Sequence, residues 1–146
     1  QKAGVNVAIG TDGCASNNDL DMFGETRTAA LLAKAVAEDA AALDAFSALR
    51  AATLGGAKAM GLDDRIGSIE VGKQADLVVV DLAALETQPL HHVLSQLVYA
   101  TGRHQVTDVW IAGKPKLRER LLVDMDLDAI LANAKQWRAR IGGISH

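Results

Sequence analysis

Along the first part of the chain, the spacing of apolar positions predicts a strand followed by two helices. Residues 5–9 form a short, β-branched run without charge, which is typical of a strand buried on both faces of a parallel sheet. After a polar loop, small and apolar side chains recur every three or four residues, which predicts a helix that begins near Asn18 or Asp19. The same spacing over residues 42–60, ended by Gly61, predicts a second helix. This order is typical of an α/β fold.

The helical spacing gives way to alternation at a boundary near residues 62–67. Residues 67–73 alternate between two glycines like a short strand, and residues 76–81 form a stronger one. Two further strands are predicted over residues 106–112 and 116–123, joined by a hairpin-like turn at Gly-Lys-Pro. The second part of the chain is therefore expected to be a β unit.

A helix is predicted to close the chain, beginning at about Asp126 and ended by Gly142 and Gly143. Its apolar stripe consists of Leu127, Ile130, Ala134, Trp137 and Ile141. Residues 82–92, which contain a proline, are expected to be a loop.

Composition and charge exclude several classes of function. The 15 basic and 18 acidic residues give a net charge of −3, so no basic face for nucleic acid is expected, and aromatic residues make up only 3% of the chain. No apolar run approaches the roughly 20 residues of a membrane span, and the first residues do not have the basic-then-apolar pattern that is expected of a leader. The single cysteine, Cys14, excludes an internal disulfide and suits a reducing, cytoplasmic compartment.

Asp12 is the leading candidate for chemistry in this sequence. It directly follows the predicted strand 5–9, at the end of a strand where α/β folds collect ligands and catalytic groups. Gly10 and Gly13 flank it and allow the backbone to turn, so its carboxylate could bind a metal or accept a proton. Asp-Gly is also a common turn pair, and the local pattern leaves both interpretations open.

The loop after Asp12 offers weaker candidates. Cys14 and Ser16 could each be a nucleophile, but no neighbouring base is evident, so a buried thiol and a helix cap are the favoured interpretations. Ser16, Asn17 and Asn18 are candidate caps of the first helix, with Asp21 in its first turn.

Other polar side chains are expected to be structural. The chain has four histidines, and the adjacent pair His91 and His92 cannot clamp one ion, so this chain alone cannot assemble a zinc site of about three ligands. Glu25 and Arg27 could reach the loop from the first helix, although an exposed ion pair between them is the favoured interpretation.

Nearly the whole sequence resembles the amidohydrolase superfamily, and within it the branch of methylthioadenosine/S-adenosylhomocysteine deaminases and triazine chlorohydrolases. Gly10-Thr11-Asp12-Gly13, followed by Ser-Asn-Asn, Asp-Met and Glu25, is similar to the last barrel strand and its loop. Residues 52–62 are similar to the helix that follows. Residues 66–81, with the specific motif Gly-Lys-Gln-Ala-Asp-Leu-Val, and residues 109–114 are similar to the β-sandwich of these enzymes.

This resemblance implies an α/β fold that is the C-terminal portion of a larger enzyme. Residues 1–64 would supply the last strand and helices of a metal-dependent (β/α)8 TIM barrel, residues 65–125 would supply strands of a small composite β-sandwich, and residues 126–146 would form a C-terminal helix. Because a barrel needs about 250 residues, the chain is expected to require the upstream part of its own polypeptide. Thr26 departs from the family, in which Met is more usual.

The resemblance also implies roles for residues in the loop. In these enzymes the aspartate at the position of Asp12 binds the single catalytic metal, contacts substrate, takes a proton from the attacking water and helps to deliver one to the leaving group. The expected metal is Zn²⁺, with Fe²⁺ and Mn²⁺ as alternatives. Ser16 and Asn17 are further substrate-binding candidates, expected to shape the loop by hydrogen bonding.

The implied function is a hydrolytic deaminase of adenosine-type nucleosides, 5′-methylthioadenosine or S-adenosylhomocysteine, that breaks the C–N bond of a cyclic amidine and releases ammonia. The implied partners are a small-molecule nucleoside or heterocycle and further copies of the chain in a homo-oligomer. Two alternatives stay open. One is a related amidohydrolase, such as a chlorohydrolase or a deaminase of another heterocycle. The other is a non-catalytic fragment, if the upstream chain is absent.

Overall fold

Helices precede and follow a small antiparallel sheet in the computed structural model, which describes residues 3–142. The helices are α1 (Met22–Ala37), α2 (Ala45–Ala52), α3 (Leu54–Ala59), α4 (Val93–Tyr99) and α5 (Leu127–Gly142). The strands are β1 (Leu77–Val80), β2 (Val106–Ile111), β3 (Lys114–Arg118) and β4 (Leu121–Leu122), with 3-10 turns at Leu85–Thr87 and Arg103–Gln105. No helix in this range is long and apolar enough to cross a membrane.

The core lies where α1, α2 and α4 meet, and it is built mainly from alanines. Its buried residues are Ala30, Ala45, Ala48 and Val98, with Leu43, Leu49, Leu94 and Tyr99 packed around them. Because alanine side chains are a single methyl group, the three helices can approach one another closely. Lys34 closes one end of this core by donating hydrogen bonds to the carbonyls of Ala42 (2.7 Å) and Leu43 (3.0 Å).

The strand predicted for residues 5–9 is not formed within the described part of the chain. The segment instead runs along α2 and α3, where the Ile9 amide donates to the Ala51 carbonyl at 3.2 Å and the Asn6 side chain donates to the Gly55 carbonyl at 2.9 Å. A strand needs a neighbour with which to form a ladder. Here the neighbours are helices, so the prediction of a strand is wrong for these residues as described.

Helix α1 begins later than its apolar spacing predicts. Asp21 is the cap, since its side chain accepts a hydrogen bond from the Phe23 amide at 3.0 Å, and the helix begins at Met22. The predictions of a start near Asn18 or Asp19, and of a cap among residues 16–18, are therefore wrong. A carboxylate at this position accepts a hydrogen bond from an amide that has no partner within the helix. Its negative charge also interacts favourably with the positive end of the helix dipole.

The second predicted helix is divided at Thr53 into α2 and α3. Thr53 leaves the helical conformation (φ −119°, ψ −93°), and its hydroxyl donates to the Leu49 carbonyl at 2.8 Å. Such a bond from a threonine to the preceding turn competes with the helical backbone. Gly61 ends the helical stretch with a positive φ of 67°, as predicted.

The predicted β unit forms an antiparallel sheet in the order β1-β2-β3-β4, with Leu77 opposite Trp110 and Val109 opposite Leu117. The strand predicted over residues 76–81 is confirmed as β1, and the strand predicted over residues 106–112 is confirmed as β2. No parallel pair of strands occurs among residues 3–142. The described chain is thus a mixed helix and strand fold with an antiparallel sheet.

Two tight turns set the register of the last three strands. Ala112 and Gly113 both have a positive φ (50° and 76°), and so do Glu119 and Arg120 (49° and 66°). Consecutive positive φ values are typical of the hairpin turns whose twist matches that of the strands. The first turn is shorter than predicted, because Lys114 already belongs to β3. The second divides the strand predicted over residues 116–123.

Residues 67–73 form a turn, so the prediction of a strand there is wrong. Gly67 and Gly72 have positive φ values of 90° and 95°, which break the extended path. The Lys73 ammonium closes the turn by donating to the Ser68 hydroxyl at 2.6 Å and pairing with the Glu70 carboxylate at 3.3 Å.

Two helices in the second part differ from the predicted pattern. Helix α4 follows the predicted loop and was not foreseen; its cap is His92, whose Nδ1 accepts a hydrogen bond from the Ser95 amide at 3.2 Å. Helix α5 begins at Leu127, as predicted, but its stripe is exposed and the helix buries none of its residues within the described chain. Gly143, expected to end α5, lies outside the described residues.

Gly55→Ala should destabilise the fold, because the added methyl group would lie 2.5 Å from the Val7 carbonyl oxygen. We expect a loss of about 1–3 kcal/mol in the free energy of unfolding, measured by denaturant titration of the complete protein. Gly56→Ala is the matched control, since a methyl group there meets no atom within 4 Å. The control should be neutral or stabilising by up to about 1 kcal/mol. Equal effects of the two variants would contradict the close approach.

Candidate metal-binding loop

Asp12 follows the segment of residues 5–9 that is hydrogen-bonded to α2 and α3. Its φ of 60° lies in the left-handed region, which aspartate tolerates better than most residues. Its side chain is exposed. Within the described part of the chain, the carboxylate is therefore accessible to a ligand.

Both oxygens of this carboxylate accept hydrogen bonds from the loop. The Ser16 hydroxyl donates to Oδ2 at 2.7 Å, and the Gly13 amide donates to Oδ1 at 2.6 Å. These bonds lower the pKa of Asp12 below its ordinary value, with the Ser16 hydroxyl as the larger cause, and they outweigh the opposing effect of burial. The carboxylate is thus kept ionised and its orientation is set from two sides.

Asn17 connects the backbone before Asp12 to helix α1. Its side-chain amide donates one hydrogen bond to the Thr11 carbonyl and another to Glu25 Oε1, both at 2.8 Å. Its oxygen accepts a third, from the Asp19 amide at 3.0 Å. All three contacts are polar and local, and together they fix the loop on the first turn of α1.

Two arginines anchor this region to more distant parts of the chain. Arg103 forms an ion pair with Asp19 in the loop, and Arg27 donates from Nη2 to the Thr101 carbonyl at 2.6 Å. The prediction of an exposed ion pair between Glu25 and Arg27 is wrong, because each side chain has a different partner. The contact between Asn17 and Glu25 was not predicted from the sequence, because it depends on how the loop folds back onto α1.

The other candidate residues are not brought together. Cys14 is a free and exposed thiol, not a buried one, and the Ser16 hydroxyl is used by Asp12. Within residues 3–142 no three histidine, cysteine, aspartate or glutamate side chains form a group that could hold a metal. His104 lies 3.3 Å from Glu86 and His92 caps α4, so both have structural contacts.

The loop suits one position in a metal site. An ionised carboxylate is an ordinary ligand for zinc and other divalent ions. Asp12 meets that requirement, because it is exposed and stays charged to lower pH than an ordinary aspartate. A catalytic zinc needs about three protein ligands, and the described residues supply this one.

Asp12 lines neither of two clefts that the described residues form. One, of about 360 Å³, lies between residues 4–7 and the two helices α2 and α3, and the other, of about 320 Å³, is an apolar cleft between the helices and β1. A substrate pocket at Asp12 would need walls other than those of these two clefts.

Ser16→Ala should raise the pKa of Asp12 towards its ordinary value, because it removes the larger of the two bonds that favour the charged form. The carboxyl titration is followed by carbon-13 NMR in the metal-free complete protein. Asn18→Ala, at an exposed neighbouring position, is the control and should leave the titration unchanged. An identical Asp12 titration in Ser16→Ala and the unmodified protein would contradict this account.

Comparison with curated proteins finds close relatives over most of the chain. A protein of Teredinibacter turnerae named 5-methylthioadenosine/S-adenosylhomocysteine deaminase is 54% identical over 139 residues, which cover 95% of this chain and 31% of that protein. One of the same name from Moorella thermoacetica is 48% identical over 130 residues, covering 89% of this chain and 30% of that protein. The chain therefore spans about a third of the length of the curated relatives it matches.

Solved structures share the fold. An adenosine deaminase from Xanthomonas campestris with bound zinc has 78% sequence identity and a TM-score of 0.95, covering 99% of this chain and 33% of that chain. Atrazine chlorohydrolase TrzN from Arthrobacter aurescens TC1, in complex with zinc and atraton, has 29% identity and a TM-score of 0.84, covering 92% of this chain and 30% of that chain.

The match to a family model gives the assignment directly. The model of the amidohydrolase family matches residues 1–116, which include the Asp12 loop, the helical core and most of the sheet. The fold described above is therefore an amidohydrolase-family fold, and the chain belongs to the amidohydrolase family.

Proposed function

We propose that this chain is the part of a metal-dependent hydrolytic deaminase that contributes Asp12 to the active site. The substrates would be adenosine-type nucleosides, 5′-methylthioadenosine or S-adenosylhomocysteine, and the products the deaminated nucleoside and ammonia. The observation that carries this proposal is the ionised Asp12 carboxylate, held between Ser16 and Gly13, in a chain 54% identical to a protein named as such a deaminase.

The proposal includes an assignment of domains. Residues 1–64 would belong to a TIM barrel as its last strand and helices, residues 65–125 to a composite β-sandwich, and residues 126–146 to a C-terminal helix. One feature supports this assignment, since the antiparallel sheet begins only at Leu77, after the helices α1, α2 and α3. Helix α4, although it lies within residues 65–125, packs with α1 and α2 in the helical core.

Asp12 would be one ligand of a divalent metal, and residues outside the described range would complete its site. Zinc is the metal we propose, because two structural relatives are zinc-bound, and Fe²⁺ and Mn²⁺ are the alternatives. When bound, such an ion lowers the pKa of a water molecule to about 7.

The proton chemistry would fall to Asp12 itself. Its carboxylate is ionised before the reaction, so it can accept the proton that the attacking water loses as oxygen bonds to the amine-bearing carbon. The protonated Asp12 would then pass the proton on to the amine, whose bond to carbon breaks and releases ammonia.

The related chlorohydrolase fold keeps a second candidate function in view. The similarity to atrazine chlorohydrolase, with a TM-score of 0.84, supports hydrolysis of another aminated or halogenated heterocycle. The identity is lower, at 29% against 54% for the deaminase relative, so we favour nucleoside deamination. Homo-oligomer formation and a cytoplasmic location stay predictions.

Asp12→Asn should abolish most turnover in the complete protein while the fold is kept, because an amide cannot accept the proton of the attacking water. We expect ammonia release to fall by at least about 100-fold, followed with a coupled ammonia assay, with circular dichroism as the check on folding. Asp64→Asn, at an exposed carboxylate after α3, is the matched control. Near-normal ammonia release from Asp12→Asn would refute the role proposed for Asp12.

A substrate panel separates the two candidate functions. The complete protein, loaded with zinc, should release ammonia from 5′-methylthioadenosine and S-adenosylhomocysteine and should leave a chlorinated triazine intact. Treatment with a chelator should remove the activity, and added zinc should restore it. Chloride release from the triazine without nucleoside deamination would overturn the first proposal in favour of the second.

A further inference from the structure

The side-chain amide of Asn17 uses both of its hydrogens to join two separate parts of the chain. One hydrogen bond reaches the Thr11 carbonyl, which is part of the peptide group immediately before Asp12, and the other reaches the Glu25 carboxylate on α1. We call this pair of contacts the Asn17–Glu25 bridge. Both side chains are partly buried, whereas Asp12 is exposed.

We propose that Asn17 and Glu25 are positioning residues for Asp12 and that they act through this bridge. The inference rests on the proposed function of Asp12 as the metal-binding and proton-accepting carboxylate. Neither residue touches the Asp12 carboxylate, which is bonded by Ser16 and Gly13. The bridge acts on the backbone instead.

The backbone at Asp12 needs such support. Its φ of 60° is in a region that L-residues adopt at a cost, so the surrounding contacts must hold it there. The Thr11 carbonyl belongs to the peptide whose rotation sets that φ angle. A bond from Asn17 to this oxygen therefore fixes the direction in which the Asp12 side chain leaves the main chain.

Glu25 supplies the rigid end of the bridge. It lies in the first turn of α1, where a negative charge is favourable, and α1 is held in place by the bond from Arg27 to the Thr101 carbonyl. The contacts thus lead from Asp12 through Asn17 to a helix anchored 74 residues away along the chain. Because a helix is more rigid than a loop of small polar residues, a hydrogen bond to α1 restricts the position of Asn17.

The bridge requires a hydrogen-bond acceptor at residue 25, not a charge. Glutamine offers the same oxygen to Asn17, whereas leucine has a similar size and offers none. The comparison of Glu25→Gln with Glu25→Leu therefore isolates the hydrogen bond. Asn17→Ala removes the other half of the bridge from the loop side, so the test does not depend on a change in α1.

The experiment uses the complete, zinc-loaded protein for kinetics and its metal-free form for backbone amide hydrogen exchange. Asn17→Ala and Glu25→Leu should each lower kcat by about 10-fold to 100-fold, with KM for 5′-methylthioadenosine changed by less than about 3-fold. Amides of residues 11–17 should exchange faster in the metal-free variants. Glu25→Gln should keep kcat within about 3-fold of the unmodified protein.

Thr28→Ala, at an exposed position on the same helix, is the control for a general effect on α1 and should change neither kcat nor exchange. In the double variant the loss in kcat should equal the larger of the two single losses, because either change alone breaks the bridge. Losses that multiply, or a normal kcat with normal exchange in Asn17→Ala, would overturn the proposal.

The outcome is distinguishable from a failure of the proposed function. If Asp12→Asn keeps its turnover, Asp12 is not the reacting carboxylate and the positioning role falls with it. If Asp12→Asn is inactive while Asn17→Ala and Glu25→Leu behave like the unmodified protein, only the bridge is refuted. Faster exchange at residues 11–17 with unchanged kcat would also refute the bridge as a catalytic support.

Discussion

The close approach of residues 5–9 to the helices α2 and α3 is the constraint on which the candidate site depends. It is possible because Gly55 has no side chain where the Val7 carbonyl passes. Hydrogen bonds from Asn6 and Ile9 then hold the segment to the helices. Asp12 follows this segment directly, so its position depends on the contact between Val7 and Gly55.

Several polar contacts in the loop around Asp12 each affect two properties of the loop. The Ser16 hydroxyl lowers the pKa of Asp12 and also sets the direction of its carboxylate. Asp21 caps α1 and thereby fixes the turn on which Glu25 lies. The charge of Asp12, the orientation of its carboxylate and the start of α1 are thus coupled within fewer than twenty residues. A single substitution in this segment therefore changes more than one of these properties.

The sequence predicted what local patterns determine and missed what neighbours determine. Runs rich in β-branched residues identified β1 and β2, and the spacing of apolar positions identified α1 and α5, because each pattern is a property of the element itself. Residues 5–9 have the composition of a strand, but a strand also needs a partner, which composition does not supply. The strand predicted at residues 67–73 failed because two glycines took positive φ values.

The candidate site shows the same division. Asp12 was the leading candidate because it follows the apolar run of residues 5–9. The resemblance of its loop to a known family then implied a role as a metal ligand, which stays a prediction. The contact between Asn17 and Glu25 joins a loop residue to a helix residue. From the sequence alone, Arg27 was the favoured partner of Glu25. Only the path of the chain between α1 and the loop decides between these partners.

The alanine core has a consequence for how this fold can change in evolution. In most cores, loss of side-chain volume is the costly event, because it leaves a cavity. At Ala30 and Ala48, which are fully buried, there is almost no volume to lose, and replacement by glycine costs about 1 kcal/mol of helix propensity. Enlargement would push whole helices apart. We therefore expect only small residues to be accepted at these two positions, so that the distance between the helices limits which sequences this fold can use.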